Sequence, residues 1–577
     1  MLIFIKSISF VFLTALITIF IIYIHFAYIL DIYFQWIFNN NVQDMQQYDY
    51  IVVGAGSAGA ILAAHLAEDE HKVLLLEAGG TAPPFLSIPL LAPAIQKTVY
   101  DWQYVTVPQK YACRGLINNQ SIWPRGKVLG GSSRLNYMAY VLGHKLDYEE
   151  WFPDFLQTVA ENNDSVSTSE LRWQSDFANV ILEAIKELNY DIGNMNKKLT
   201  TGFMKVQLTM ENGERWSSEK ILHKKCKYSP VILTHTFATK VLVNLNKAEG
   251  IEFVRFGSKY TAVAKKGVIL SAGVIESPKL LMLSGIGPRK HLNDLNIHVI
   301  NDLPVGQNLV DHILTGVDLV TLNVSLGLNL FQILNPVSAL NYFLFGRGQW
   351  TSTAIEVLGT FHSVANKNKS AIPDLQLMVL SLGISNDNGI IFKKAMGFSD
   401  EVYNKYFTPL LYENTIIIAP ILLHPKSSGE LRLRSNNPFD KPLIDPQYLS
   451  NEDDIETLVE GLYFVKDLLE TNALRAYSAS LNKKSFPGCE NETFDTREYW
   501  RCYIRHLTLT AYHPAGTCRM GDVVDTSFKV HNMTNLYVVD ASVLPLLPSG
   551  NINAAVIALA QKASRIFRNE KIKEKEV

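Results

Sequence analysis

The fold is decided by the stretch Tyr48–Gly80, YDYIVVGAGSAGAILAAHLAEDEHKVLLLEAGG. Tyr50–Val53 is a short continuous apolar run, the pattern of a buried strand, and Lys72–Leu76 repeats it. Between them the small residues Ser57–Ala67 read as a helix. Gly54, Gly56 and Gly59 stand at the turn with the spacing G-x-G-x-x-G. That spacing lets the turn close, the backbone approach a pyrophosphate and the helix pack on the strand, with the helix N-terminus facing the phosphates. Glu77 ends the second strand, where a carboxylate can accept hydrogen bonds from an adenosine ribose. The glycines alone are weak. Strand, helix and an acid about twenty residues on make the unit a dinucleotide-binding one.

Bulk properties bound the rest. The chain has 577 residues, 47% of them apolar and only 19% charged, enough for a large packed core and two to four domains. Lys and Arg number 53 against 55 Asp and Glu, with no long basic run, so no phosphate-tracking surface is implied and nucleic acid is not expected as a partner. Cys113, Cys226, Cys489, Cys502 and Cys518 lack Cys-x-x-Cys or Cys/His spacing, which argues against a metal site and against a disulfide-stapled scaffold; at most two bridges can form. No internal repeat occurs, and the tail NEKIKEKEV reads as a solvated end.

Outside that unit, the N-terminus carries the clearest signal. The run Ser7–Leu30, SISFVFLTALITIFIIYIHFAYIL, holds one ionisable side chain, His25, and exceeds the roughly 20 residues that cross a bilayer core. It lacks an A-x-A-like cleavage site, and Tyr33, Phe34 and Trp36 suit an interfacial belt, so it reads as a membrane anchor, with secretion after signal cleavage as the alternative. Lys6 before it and Asp31 and Asp44 after it place the N-terminus in the cytosol and the body in the lumen or outside the cell. The sequons at Asn119, Asn163, Asn323, Asn368, Asn491 and Asn532 would then be glycosylation acceptors.

Two further segments carry chemistry. Trp123–Gly143, WPRGKVLGGSSRLNYMAYVLG, combines Gly126, Gly130, Gly131, Ser132 and Ser133, which let backbone press on a flat or phosphorylated ligand, with the positive Arg125 and Lys127. Thr510–Gly521, TAYHPAGTCRMG, sets His513 before Pro514, which fixes a non-helical backbone at an imidazole able to titrate near neutral pH. Alone, His513 reads as a packing histidine. Together VVGAGSAG, LLLEAGG, PRGKVLGGSS, the segment Gly267–Pro288, LPVGQNLVDH, YHPAGTCRMG and NLYVVDASVLPLLPSGNINAA resemble, in order and across nearly the whole chain after the anchor, the glucose-methanol-choline (GMC) family of FAD-dependent oxidoreductases, with the flavour of its insect glucose-dehydrogenase-like branch.

The resemblance implies an α/β FAD-binding, Rossmann-like domain plus an α+β substrate-binding domain with an antiparallel sheet, behind the N-terminal transmembrane helix. Residues 1–45 would be anchor and linker, 46–310 with 502–570 the FAD domain, and 311–501 the substrate domain. It also implies that His513 accepts the hydroxyl proton of a small-molecule alcohol while hydride passes to flavin N5, and that Asn551 holds the substrate oxygen. The FAD site would take Gly54, Gly56, Ser57, Gly59, Glu77, Arg125, Gly126, Gly130, Gly131, Ser132, Asn136, Asp540, Ala541 and Asn553.

This chain departs from the family where GGSSRLNYM brings Arg134 and Tyr137 close to the expected flavin ring. Leu135 stands where some relatives carry a flavin-linked histidine, so the FAD is expected to be noncovalent. His312 reads as structural, closing the joint between domains, and Cys518 as packing. Oxidase and dehydrogenase members share every motif quoted; the reading adopted is a dehydrogenase with an unidentified acceptor, quinone-like or oxygen. The alternatives are a flavin-binding lyase without redox turnover and an inactive binding module.

Overall fold

A computed structural model of the chain describes residues 2–38, 42–161, 166–223, 228–367 and 370–576; Cys226 and the sequons at Asn163 and Asn368 lie outside these residues. The long helix α1 (Leu2–Phe38) precedes β1 (Gln46–Val53), α2 (Gly59–Glu68) and β2 (Val73–Leu76). Next come α3 (Phe177–Glu187), β3 (Gly202–Lys205), β4 (Val231–Leu233), β5 (Thr236–Asn244), β6 (Lys247–Arg255), β7 (Ser258–Leu270) and α4 (Gly273–Leu283). The second half supplies β8 (Ile313–Leu314), β9 (Val320–Leu322), α5 (Pro336–Phe345), β10 (Ile355–Phe361), β11 (Leu375–Leu380), β12 (Asn414–Leu422) and α6 (Glu452–Leu469). β13 (Ser480–Leu481), β14 (Leu509–Thr510), β15 (Leu536–Val538) and α7 (Asn553–Glu576) complete the set that positions the site.

The first sheet runs in the order β4-β2-β1-β7-β6-β5, with β15 added beside β7. β4, β2, β1, β7 and β15 are mutually parallel where they pair, while β5, β6 and β7 form an antiparallel meander. The continuous apolar runs of β1 and β2 have the expected cause: from Ile51 to Val53 and from Val73 to Leu76 every residue is buried. The glycine turn therefore sits at the carboxyl edge of the parallel strands, beside the N-terminus of α2. In an open α/β sheet that is where a dinucleotide binds.

The second sheet has the order β13-β9-β12-β11-β10-β3, and β8 joins β12 to β14. All of its pairings are antiparallel. Its strands are apolar on both faces for two different reasons. Leu377, Val379, Ile416 and Ile418 pack back against Phe177 and Ile181 of α3 and Val465 and Leu468 of α6. Met378, Leu380, Ile417 and Ile421 point the other way and line a cavity. The alternation is the period of a strand. α3 and β3 precede residue 311 in sequence and β14 follows residue 501, yet all three belong with this sheet.

The end of α1 is bound to the body. Asp31 accepts the Thr81 N–H at 2.9 Å and the Thr81 hydroxyl at 2.6 Å, and pairs with His235 Nε2 at 2.7 Å. Ile24 is buried, and Phe20 and Tyr23 each place a ring edge-on to Phe85. One disulfide, Cys489–Cys502, is present among the described residues, a pairing that cysteine spacing did not reveal; Cys113 and Cys518 are buried and free.

Close packing at the first turn generates a test. A Cβ on Gly59 would lie 1.9 Å from the Gly54 carbonyl oxygen and 2.9 Å from Ser271 Cβ. Both neighbours are fixed by the sheet, so Gly59→Ala should destabilise by about 3 kcal/mol or more. The expected outcome is insoluble protein or an apparent Tm far below wild type in a thermal melt. A wild-type melt would show that the turn can shift.

Candidate active site

Two glycine turns are locked together at the end of β1. Gly54 has φ +97°, and a Cβ there would meet the Ser271 carbonyl oxygen at 2.5 Å. Its N–H donates to Leu76 O at 2.8 Å, and the Gly130 N–H donates to Ala55 O at 2.8 Å. A Cβ on Gly131 would lie 2.6 Å from Gly56 Cα, whereas one on Gly56 finds nothing nearer than Gly131 Cα at 3.9 Å. Gly56 therefore presents bare backbone to the cavity that runs from this turn to His513.

The cavity brings together most of the residues singled out in sequence. Gly54, Gly56, Ser57, Glu77, Arg125, Gly126, Gly131, Ser132, Asn136, Asp540, Ala541 and Asn553 line it, and so do His513 and Asn551. Gly59 and Gly130 do not; they lie behind the wall and allow its close packing. Ser57 donates its hydroxyl to Asn553 Oδ1 at 2.7 Å, and Ser132 Oγ accepts the Gly126 N–H at 3.2 Å. Asn136 Oδ1 accepts from Met138 N at 3.1 Å and from Arg215 at 2.7 Å.

Two buried carboxylates frame the wall. Glu77 accepts the N–H groups of Ala55 at 3.0 Å and Gly79 at 2.8 Å. Burial nonetheless pushes its pKa up to about 7, with those two bonds and Lys127 pulling the other way. Asp540 accepts from Gly273 N at 2.9 Å, the Ser277 hydroxyl at 2.6 Å and Ser542 N at 2.8 Å, and burial also raises its pKa. The carboxylates thus fix the backbone around the cavity and keep lone pairs for a ligand.

His513 is held on three sides. Its backbone N–H donates to Asp311 Oδ1 at 2.9 Å. The ring Nε2 lies 3.1 Å from Asn551 Nδ2, and the ring Nδ1 lies 3.0 Å from Nδ1 of His312. The two imidazoles meet edge to face, with centroids 5.1 Å apart. Burial, with the positive charge of Arg125 second, brings the His513 pKa down to about 3. The imidazole is neutral at any physiological pH. Arg125 donates to the Tyr512 carbonyl at 2.9 Å while its Nε has no partner, and Asn551 Oδ1 is likewise buried without one. Buried polar atoms left over at a cavity wall mark where a ligand completes the bonding.

Sequence reasoning missed one residue here and misplaced another. Asp311 is wholly buried and ties three segments together, accepting the His513 N–H, the Thr510 hydroxyl at 2.6 Å and the Tyr448 hydroxyl. Its neighbour His312 sets its ring against His513. Arg134 turns away from the cavity, because its guanidinium pairs with the buried Glu219 and donates to Ser87 Oγ at 3.0 Å. Tyr137 does line the cavity, stacked on Tyr512 at 6.4 Å and 7°. Leu135 is buried in a separate apolar cluster with Tyr100 and Val128. Cys518 is buried, as a packing residue would be.

Comparison with known proteins gives the lineage. Residues 48–314 and 425–560 match the N- and C-terminal models of GMC oxidoreductase. The chain belongs to the GMC oxidoreductase family. It is 33% identical to glucose dehydrogenase [FAD, quinone] of Drosophila melanogaster, over 90% of this chain and 87% of that one. It is 31% identical to ecdysone oxidase of Spodoptera littoralis, over 92% and 93% respectively. Among solved structures, a formate oxidase of Aspergillus oryzae studied for FAD modification superposes with a TM-score of 0.77 and 25% identity, over 92% of this chain and 99% of that one. Family and fold carry an FAD site in a Rossmann-like domain, an α+β sheet domain, and GMC-type redox chemistry on a CH–OH group.

The cavity fits FAD on its own geometry. The bare backbone at Gly56 and Gly131 is a cradle that a side chain would fill, at the N-terminal end of α2. Gly56→Val should accordingly fold, since little protein surrounds the added carbons, yet retain far less FAD. Flavin absorbance per mole of protein, read beside circular dichroism, checks both halves. Wild-type flavin content would move the cofactor elsewhere.

Proposed function

We propose that this chain oxidises an alcohol with an apolar body to its carbonyl, with His513 as the base and Asn551 holding the substrate oxygen. The observation that carries the reading is the contact of Asn551 Nδ2 with Nε2 of a neutral, buried His513 at the cavity wall. Bound FAD supplies the two-electron acceptor for the hydrogen that leaves carbon. Pocket lining by Gly54, Gly56, Gly131 and Asp540 would hold it, noncovalently because Leu135 offers no linking atom. We read the enzyme as a dehydrogenase passing electrons to a quinone-like acceptor, by analogy with the fly glucose dehydrogenase named for FAD and quinone.

The tautomer of His513 follows from its neighbour. One of the two facing Nδ1 atoms must carry the proton. His312 Nε2 has no partner within hydrogen-bond geometry, and the carbonyl of Leu423 is the group that raises the His312 pKa as an acceptor. With the Leu423 carbonyl acting on the ring, we place the His312 proton on Nε2, which leaves His312 Nδ1 as an acceptor. His513 then donates from Nδ1 and accepts the Asn551 amide N–H on its Nε2 lone pair, which is open to a substrate hydroxyl once that amide turns away. That lone pair is where the hydroxyl proton goes. His312 is a positioning residue, acting through His513.

The substrate class follows from the walls. Leu90, Pro93, Leu328, Leu380, Leu382 and Met396 offer a substrate no hydrogen-bonding side chain. The same cavity also carries Tyr137 and the unpartnered hydroxyl of Thr353, so an alcohol with a largely apolar body and few further hydroxyls fits it best. The alternatives on the same fold are a flavin-binding lyase and a silent binding module. Anaerobic addition of an apolar alcohol should bleach the flavin; a spectrum unchanged by every alcohol tested would favour the silent readings.

We also read α1 as an uncleaved membrane helix that puts the body in an oxidising compartment. The described span Thr18–Phe38 has mean hydropathy 1.5, and the bonds of Asp31 to Thr81 and His235 would be lost with a cleaved leader. The disulfide Cys489–Cys502 and the exposure of Asn119, Asn323, Asn491 and Asn532 fit a secretory location.

Three measurements test the chemistry. His513→Ala should keep FAD and slow flavin reduction by roughly 10²-fold or more. An unchanged rate would move the base elsewhere. His312→Phe, which keeps a ring but no acceptor, should slow reduction about tenfold, and His312→Gln, which can accept the proton from His513 Nδ1, should restore most of it. Equal defects in both variants would reduce His312 to packing. With its pKa held near 3 the base stays unprotonated, so reduction should be flat from about pH 8 to 5; an ordinary histidine near 6.5 would lose about thirtyfold over that range.

A further inference from the structure

The helix α5 presents an apolar face to solvent. Val337, Leu340, Phe343, Leu344 and Phe345 are each more than half exposed. Nothing in the flavin chemistry uses them. From Leu319 to Gly346 the sequence contains no Asp, Glu, Lys or Arg. Monomeric soluble proteins rarely leave such a contiguous patch uncovered.

What covers it is indicated by α1. A bilayer core takes about 20 helical residues, so a span over Ser7–Leu30 has Phe20, Tyr23 and Ile24 within the acyl region. Those same residues touch the body. Phe20 and Tyr23 meet the ring of Phe85, and Ile24 shares a buried cluster with Phe85 and Tyr342 of α5. Tyr23, Phe343, Leu344 and Phe345 line one groove, to which Asn212 and Glu214 add its polar lining. Whatever packs beside Phe20–Ile24 lies at their depth, so α5 is at bilayer depth too. Its flanks match. The exposed Arg347 follows the apolar stretch, the exposed Arg172 donates to the Gly346 carbonyl at 3.4 Å, and Trp350 lies tilted against Tyr342 with ring centroids 6.0 Å apart. Arginine and tryptophan at the edge of an apolar patch suit anionic headgroups and the interface.

We propose that the outer face of α1 and the helix Pro336–Phe345 form one bilayer-embedded surface, so that the body lies on the membrane rather than hanging from a tether. The proposal rests on the reading of α1 as a membrane helix. It assigns the lipid bilayer, not a second copy of the chain, as the occupant of the α5 face.

Full-length protein with its flavin, reconstituted into phosphatidylcholine nanodiscs with or without dibrominated acyl chains, tests this directly. Bimane is attached at Leu344→Cys, at Ile22→Cys on the exposed side of α1, and at Leu245→Cys; unmodified protein gives the background. Leu245 is 95% exposed at a hairpin tip bonded to the Asn532 sequon loop through Thr534 and Asn246. Bromolipid should quench the labels at 344 and 22 about twofold or more and leave the label at 245 unchanged. Quenching at 22 but not at 344 overturns the shared surface and leaves the anchor standing. No quenching at either overturns both. A label at 344 that ignores bromolipid but changes on protein dilution assigns the face to self-association, which also overturns the proposal. Flavin bleaching by alcohol in the same samples reads the chemistry separately.

Discussion

The site depends on one buried carboxylate. Asp311 is wholly enclosed, and burial lifts its pKa to about 6 against the pull of Thr510, Tyr448 and Arg125. It has to be paid for by complete hydrogen bonding, and it receives donors from Thr510, Tyr448 and the His513 backbone. Those donors come from two parts of the chain distant from Asp311, around residue 448 and residues 510–513. The same arrangement therefore fixes the loop carrying His513 against the strand pair β8–β14 and brings His312, the next residue, against the imidazole. A chain that failed to close this cluster would leave an unpaired charge in the interior, a cost of several kcal/mol. Geometry at His513 is set by that penalty more than by any contact of the ring itself.

Much of this was legible in the sequence, and the exceptions share a cause. The strand-turn-helix-strand unit could be read because its signals are local: runs of buried apolar residues, glycines at a turn and an acid at a strand end. Most of the glycines and the two candidate catalytic residues line one cavity for the same reason, since each sits in a short motif with its own backbone requirement. Arg134 leaves the place its motif suggests because its partner, Glu219, is 85 residues away, and a buried guanidinium goes wherever its carboxylate is. Nothing near His312 in sequence names the ring it meets, His513, 201 residues later. β3 joins a sheet whose other strands begin more than a hundred residues on, and no periodicity records such a pairing.

The second sheet makes the cavity possible by being apolar on both faces. A sheet with one wet face would read as alternating polar and apolar residues, whereas β12, NTIIIAPIL, is nearly continuous. Its backward residues build a core with α3 and α6, and its forward residues form the roof of the site. Substrate specificity and domain stability are thus written on alternate residues of the same strands. Substituting Met378 or Ile417 changes the roof, while Leu377 or Ile418 changes the core, and the two effects are separable one residue apart.

The electrostatics of the cavity then constrain how a proton can be handled there. A pKa near 3 means that protonating His513 at pH 7 costs on the order of 5 kcal/mol in the enclosed site, with burial and Arg125 as the causes. His312 cannot relieve it, because its own pKa is lowered by burial and by His513. Nor can Asp311, whose carboxylate touches the His513 backbone and not its ring. A proton delivered to Nε2 is stable only if negative charge enters the cavity with it, or if it leaves again. A buried neutral histidine facing a buried arginine is therefore a poor resting place for a proton, and any chemistry that uses it as a base has to bring compensating negative charge into the cavity.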